Sequence, residues 1–193
     1  MSSWLKSCAA LAAASALSAC ALLAPSDRPS QRAPAFDLLG RVAVTYDGRN
    51  FSSSVRWEHA PERDEIWLLT PTGQALAQIV ADDAGATLTG ADRREYSAAD
   101  VESLTRRALG WELPLTRLAW WARGAIVPGG TIGEVVRDEH GRLVRLRQDD
   151  WQITLVHAPP GGEADGLPRR VELVRESSHI RLVVDQWRPR DAP

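Results

Sequence analysis

Two cysteines, four histidines and two pairs of adjacent aspartates are the residues of this chain whose types could do chemistry. Cys20 has the most specific setting, because it closes the tetrad Leu17-Ser18-Ala19-Cys20, which reads as a lipobox. The small Ser18 and Ala19 let a peptidase bring its active site against the backbone, and the Cys20 thiol is the nucleophile available for acylation. Upstream lie a free amino terminus and Lys6, then an Ala/Leu run from Ala9 to Leu17. That run is too short and too weakly apolar to span a bilayer, so a cleaved export signal over residues 1–19 is expected. Cys8 competes poorly, since Lys6 sits two residues before it and no apolar run precedes it. Cleavage removes Cys8 and leaves Cys20 as the lipid-bearing first residue, so no disulfide framework remains. The plainer reading, a stray thiol in an Ala-rich segment, leaves the order of charge, apolar run, small residues and Cys unexplained.

The other candidates point away from catalysis. His59, His140, His157 and His179 have no second His three to five residues away, and three of them fall at turns or strand ends, where a solvated imidazole is the usual explanation. There is no Gly-x-Ser-x-Gly elbow, no phosphate-cradling Gly loop and no Cys/His metal pattern. Asp82-Asp83 and Asp149-Asp150 read as turn acids. Neither an enzyme, a metal nor a cofactor is expected.

The segment left after cleavage has 22 Arg against 25 acidic residues, a balance that offers nucleic acid no basic face. Every basic residue after Lys6 is Arg, which reads as codon bias before phosphate recognition. Residues 20–35 are rich in Pro, Ser, Arg, Gln and Ala with no large apolar residue after Leu23, which predicts a tether. At about 3.3 Å per residue it reaches at most roughly 50 Å.

From Phe36 the apolar period is two. Phe36, Leu38, Val42, Val44 and Tyr46 share a face up to the turn Asp47-Gly48, and Phe51, Ser53, Val55 and Trp57 share a face on the return. Turns then recur about every ten residues, as in an antiparallel meander. After Tyr96 the period becomes helical: Ser97 with Asp100 is a candidate start, Val101, Leu104 and Ala108 a face, and Gly110 a stop. Pro114 opens a second short helix that ends at Gly124. Strand period resumes from Ile132 to Trp187. The expected fold is mainly β, an open, half-closed antiparallel barrel of about ten or eleven strands over residues 36–190. Its short helices serve as filler or lid. Ile66 to Leu69 and Leu182 to Val184 are apolar on both faces, which asks for a partner on each side and admits a hydrophobic cavity.

The chain resembles the outer-membrane lipoprotein receptor family LolB. The resemblance is carried by Gly40-Arg41-Val42-Ala43-Val44, Trp57, Leu68-Leu69-Thr70-Pro71-Thr72-Gly73-Gln74 and Tyr96-Ser97-Ala98-Ala99-Asp100. It continues through Leu113-Pro114-Leu115, Trp121-Ala122-Arg123-Gly124, Gln148 with Trp151, Leu167-Pro168 and Leu182-Val183-Val184-Asp185-Gln186-Trp187. It implies a receptor held in the outer membrane on its periplasmic face by the N-terminal lipid. Such a receptor takes lipoprotein cargo from the periplasmic carrier LolA and releases it into the membrane without nucleotide hydrolysis, its acyl chains passing through a hydrophobic cavity.

Two positions depart from the family pattern: Thr72 stands where an exposed leucine is usual, and Asp150 where a Gly precedes the tryptophan. On this reading Phe51, Val55, Trp57, Trp67, Leu69, Ile153, Leu155 and Leu182 are the candidate acyl-chain wall, with Trp121 near the lid. Pro71, Thr72 and Gly73 are the candidate membrane-facing loop, and the protein is expected to be a monomer. Each wall residue is equally an ordinary core residue by type, and sequence does not fix which strand face turns inward. A structural envelope lipoprotein with a filled core that docks on a protein partner is the second reading. A hydrolase of envelope lipids or glycans is the third.

Overall fold

The computed structural model describes residues 32–162, 164 and 166–188, so the export signal and Cys20 lie outside the described residues. Alternating apolar and polar residues give a first meander: β1 (Phe36–Tyr46), β2 (Arg49–Ala60), β3 (Arg63–Leu69), β4 (Ala75–Asp82), β5 (Gly85–Gly90) and β6 (Glu95–Ala98). Two helices follow, α1 (Val101–Leu109) and α2 (Leu115–Ala122). A second meander completes the chain: β7 (Ile132–Arg137), β8 (Leu143–Gln148), β9 (Trp151–His157), β10 (Pro168–Arg175) and β11 (Ser178–Arg188).

All the strands join one antiparallel sheet in the order β6-β5-β4-β3-β2-β1-β11-β10-β9-β8-β7. The first strand pairs with the last, which fuses the two meanders at the centre. The sheet edges, β6 and β7, are therefore consecutive strands in the chain. The crossover between them, with both helices, packs its apolar side chains into the core that the inner face of the sheet builds.

Local chemistry explains most boundaries. Asp47 and Gly48 both have positive φ (46° and 74°), as a two-residue hairpin turn requires. Asp100 caps α1 by accepting the Ser103 N–H at 2.6 Å, and Gly110 ends it in the left-handed region. Ser97 is not the helix start that its spacing suggested. It lies in β6, because the outer edge of β5 is satisfied by pairing Ala86 with Ala98 and Leu88 with Tyr96. Tyr96 remains largely exposed at that edge.

The sheet coils because its registers slip. Irregularities at Leu39/Gly40, Leu68/Leu69 and Pro168/Arg170 bend the strands and increase their twist. At Gly40 the central strands approach so closely that an added Cβ would collide with the Val183 carbonyl.

Register also settles which faces turn inward. Val42, Leu182, Val171 and Leu155 share one inner row across β1, β11, β10 and β9. Pairing of Trp57 with Ile66 and of Val55 with Leu68 puts Ile66 and Leu68 inside, and so turns Trp67 and Leu69 to the outer face. The placement of Trp67 and Leu69 on the inner wall is thus corrected. No second layer covers that face among the described residues; the Arg56 guanidinium lies 5.3 Å from the Trp67 ring and shields it instead.

The turns β1–β2, β3–β4, β5–β6, β8–β9 and β10–β11 all lie at one end of the sheet, and Phe36 begins β1 at the other. Gly40→Ala is expected to lower stability by about 1–3 kcal/mol through overpacking at the β1/β11 slip. Urea unfolding reads this as a lower midpoint at unchanged slope, and an unchanged midpoint would refute the close approach.

Candidate functional site

Between the first meander and the crossover lies a hollow with an entirely apolar lining. The sheet contributes Val42, Phe51, Val55, Trp57 and Leu182 from its centre, with Ile66, Leu68 and Ile79 beside them. The crossover contributes Leu109, Trp111, Leu113, Leu115 and Leu118. Its free volume is about 40 Å³, one or two waters' worth, so in this form the crossover side chains nearly fill it. A second, open recess of about 190 Å³ adjoins it at the β1–β2 turn, lined by Val44, Tyr46, Arg49 and Asn50. Phe51, Leu109 and Trp111 line both spaces.

The candidate wall residues therefore fall into three groups. Phe51, Val55, Trp57 and Leu182 come together around the hollow. Trp121, Ile153 and Leu155 are buried in the filled half of the core, where Trp121 stacks obliquely on Trp151 at 6.2 Å. Trp67 and Leu69 face outward. Ile66 and Leu68, the opposite phase of the same strand, take the inner places. Arg63 and Glu65, exposed and half-buried on the outer phase, carried that signal in the sequence.

The crossover is held differently at its two halves. On the α2 side, the fully buried Gln148 accepts the Trp121 Nε1–H and the Val127 N–H, both at 3.1 Å, and donates to the Val127 carbonyl at 2.7 Å. On the α1 side, Thr105 Oγ1 accepts the Leu113 N–H at 2.9 Å and donates to the Val101 carbonyl. Between the helices, Glu112 accepts from Arg106 of α1 and from Arg175 of β10, each at 2.7 Å. The Arg175 hydrogen bond, with help from Arg106 against partial desolvation, holds the Glu112 carboxyl below its usual pKa range. Burial acts first on Glu102 and raises its pKa.

His59 is not the solvated imidazole expected. It is buried, with Nδ1 2.8 Å from Asp64 Oδ1 and Nε2 3.1 Å from the Ala33 carbonyl, and Trp57 Nε1 donates to the same Asp64 oxygen at 2.6 Å. This cluster ties residue 33, read from the sequence as tether, onto β2 and β3. His157 is likewise held between the Gly166 and Leu143 carbonyls. Among the described residues, no group of three His, Cys, Asp or Glu is arranged to hold a metal. At the Asp149-Asp150 turn it is Asp149, not Asp150, that takes positive φ (51°). An aspartate tolerates this, and its carboxylate accepts the Thr131 N–H.

The Pro71-Thr72-Gly73 turn is tight, exposed and polar. Gly73 donates to the Thr70 carbonyl at 2.9 Å, and the Thr72 hydroxyl lies 2.9 Å from that of Thr70. Leu76, at the register slip just beyond, is exposed.

These features define a class: an open antiparallel half-barrel whose own helical crossover packs against its concave, apolar face. Residues 34–187 match the family model described as outer membrane lipoprotein LolB, and the chain belongs to that family. Similar proteins include the outer-membrane lipoprotein LolB of Nitrosomonas europaea, 40% identical over 153 residues that cover 79% of this chain and 72% of that protein. Another is the LolB of Thiobacillus denitrificans, 37% identical over 175 residues, 89% of this chain and 91% of that protein. Among solved structures, a LolA-superfamily protein of Nitrosomonas europaea aligns with a TM-score of 0.49 at 9% identity, covering 85% of this chain and 90% of that one.

Gln148→Leu strands the Trp121 N–H and both polar groups of Val127, with an expected loss of about 2–4 kcal/mol in chemical unfolding. A loss under half a kcal/mol would show the buried amide to be dispensable. Because the folded pKa of Glu112 is lowered, its contribution is complete above the usual glutamate range and disappears as pH falls through the lowered value. The stability difference between wild type and Glu112→Gln should therefore stay constant from pH 7 down to the usual glutamate range and shrink as pH falls from there through the lowered value.

Proposed function

We propose that this protein is an outer-membrane receptor that accepts lipoproteins from the periplasmic carrier LolA and inserts them into the membrane, holding their acyl chains in the apolar hollow. Family membership supports the receptor role. The single observation that carries the acyl site is the hollow itself, whose every lining residue is apolar and which an open recess adjoins at the β1–β2 end. On this reading residues 1–19 are the signal and Cys20 carries the lipid at the periplasmic face. Residues beyond Cys20 form the tether, the folded body from about residue 32 is the binding domain, and a single chain suffices. No reaction step is required.

Magnitudes favour transfer from cavity to cavity. A sixteen-carbon chain in water costs on the order of 12 kcal/mol at about 0.8 per CH₂, so release into water is too slow to use. Admitting the chain means displacing Leu109, Trp111 and Leu113, which costs about 5–9 kcal/mol at roughly 1.5–3 per side chain. The chain's own burial exceeds that cost, so a nearly filled hollow is compatible with uptake.

The recess end has further apolar surface. Leu76, Tyr96 and Ile132, each within the first two residues of its strand, are exposed at the same end of the sheet as the recess. These, more than Thr72 with its hydroxyl turned to Thr70, supply the apolar contact for insertion, so the membrane-facing loop extends from Pro71, Thr72 and Gly73 to Leu76. The eleven residues of β1 separate the two ends by about 37 Å at ~3.4 Å per residue. A tether reaching at most roughly 50 Å can turn either end to the bilayer.

The small free volume favours the second reading, a structural lipoprotein with a filled core that docks on a protein partner. Uptake separates the two. The mature chain carrying Cys20→Ala should remain in the aqueous phase and still strip a lipopeptide from LolA, with saturable quenching of its tryptophans. Failure to take up any lipopeptide would refute the receptor reading in favour of the filled core.

A further inference from the structure

The link between the helices, Gly110 to Pro114, alternates in what it faces. Trp111 and Leu113 point into the hollow, and Trp111 also lines the open recess, so it stands with Leu109 and Phe51 between the hollow and solvent. Glu112, between them, faces the other way and reaches Arg175. Arg175 ends β10 on its inner row, with its guanidinium 4.5 Å over the Trp151 ring, so its position is fixed by packing. Among the described residues, the Glu112–Arg175 pair is the one polar contact between this link and a strand.

The remaining ties explain what could move. Arg106 and Thr105 bind the link to α1, and α1 touches β6 through Arg107, which donates to the Ser97 carbonyl at 3.4 Å. The link itself runs from Gly110, in the left-handed region, to Pro114, where α2 begins without a side-chain cap. Past Pro114 the chain is pinned to β8 and its turn by Gln148, and by Arg117 with Asp149. The link, whose one polar contact with a strand is Glu112–Arg175, lies between segments with further ties to the sheet and is the part that opens at least cost.

We propose that Glu112 is a positioning residue that latches the cover of the hollow: its ion pair with Arg175 keeps Trp111 seated, and acyl chains enter from the β1–β2 end when it lets go. This rests on the acyl-binding reading above. The latch sets how fast the hollow is entered; the apolar lining sets how tightly a chain is held.

The test uses the mature chain with Cys20→Ala and a neutral monoacylglycerol brominated in its sixteen-carbon chain, followed by stopped-flow quenching of tryptophan. Glu112→Gln and Arg175→Gln should each raise the association rate about tenfold, the scale of one lost charge-assisted hydrogen bond. Arg106→Gln, which leaves the strand contact in place, should raise it by no more than about twofold. If Glu112→Gln does not fold, Arg175→Gln reads the same latch with the crossover sequence intact. Wild type that binds at equilibrium, with unchanged rates in folded latch variants, overturns the latch and leaves the receptor reading standing. Absence of any equilibrium binding by wild type overturns both.

Discussion

The concave face of this sheet is apolar along its rows, and among the described residues the chain that covers it is the crossover between its two edge strands. That constraint organises the molecule. Pairing of the first strand with the last joins two meanders into one surface too broad to fold flat on itself, and register slips coil it. The edges are left to consecutive strands, so the intervening residues must cross the hollow. A helix pair with an apolar face does so, while its ends are satisfied by Asp100, Gly110 and the buried Gln148.

Two kinds of attachment follow, with different consequences. The β8 side of the crossover is built to stay: a buried amide with three hydrogen bonds and a tryptophan stacked on another cannot be undone without stranding polar groups. The hollow side is held by apolar packing and by a half-exposed carboxylate between two arginines. Apolar packing can be exchanged, side chain for guest, at little net cost. Under the proposed acyl-binding role, a cover of this make-up lets a fatty chain be held and then given up, because tight closure would trap the cargo.

Much of this was legible in the sequence. Period two from Phe36, the Asp47-Gly48 turn, Gly110 after a helical face and Pro114 before another all located their elements, since each depends on neighbours in the chain. What failed depended on partners distant in sequence. Ile66-Trp67-Leu68-Leu69 is apolar on both phases, so only its pairing with β2 could decide that Trp67 faces outward under Arg56. Ser97 has the spacing of a capping residue, yet the unpaired edge of β5 draws it into a strand. His59 at the end of β2 looked solvated, because nothing local announces that Ala33 and Asp64 close around it. Of the candidate wall residues, Phe51, Val55, Trp57 and Leu182 line the hollow while Ile153 and Leu155 on β9 do not, and how far Trp111 and Leu113 fill it is a matter of side-chain packing that periodicity does not encode.

The receptor role requires the hollow to be a place a guest can occupy once the interhelical link withdraws. A crystal structure of the mature chain bound to an acylated peptide tests this most directly. The alkyl chain should lie among Val42, Val55, Ile66 and Leu182, with Trp111 displaced toward solvent and Gln148 still bonded to Trp121. An alkyl chain bound on the outer face, or a complex in which Trp111 and Leu113 keep their places, would contradict it.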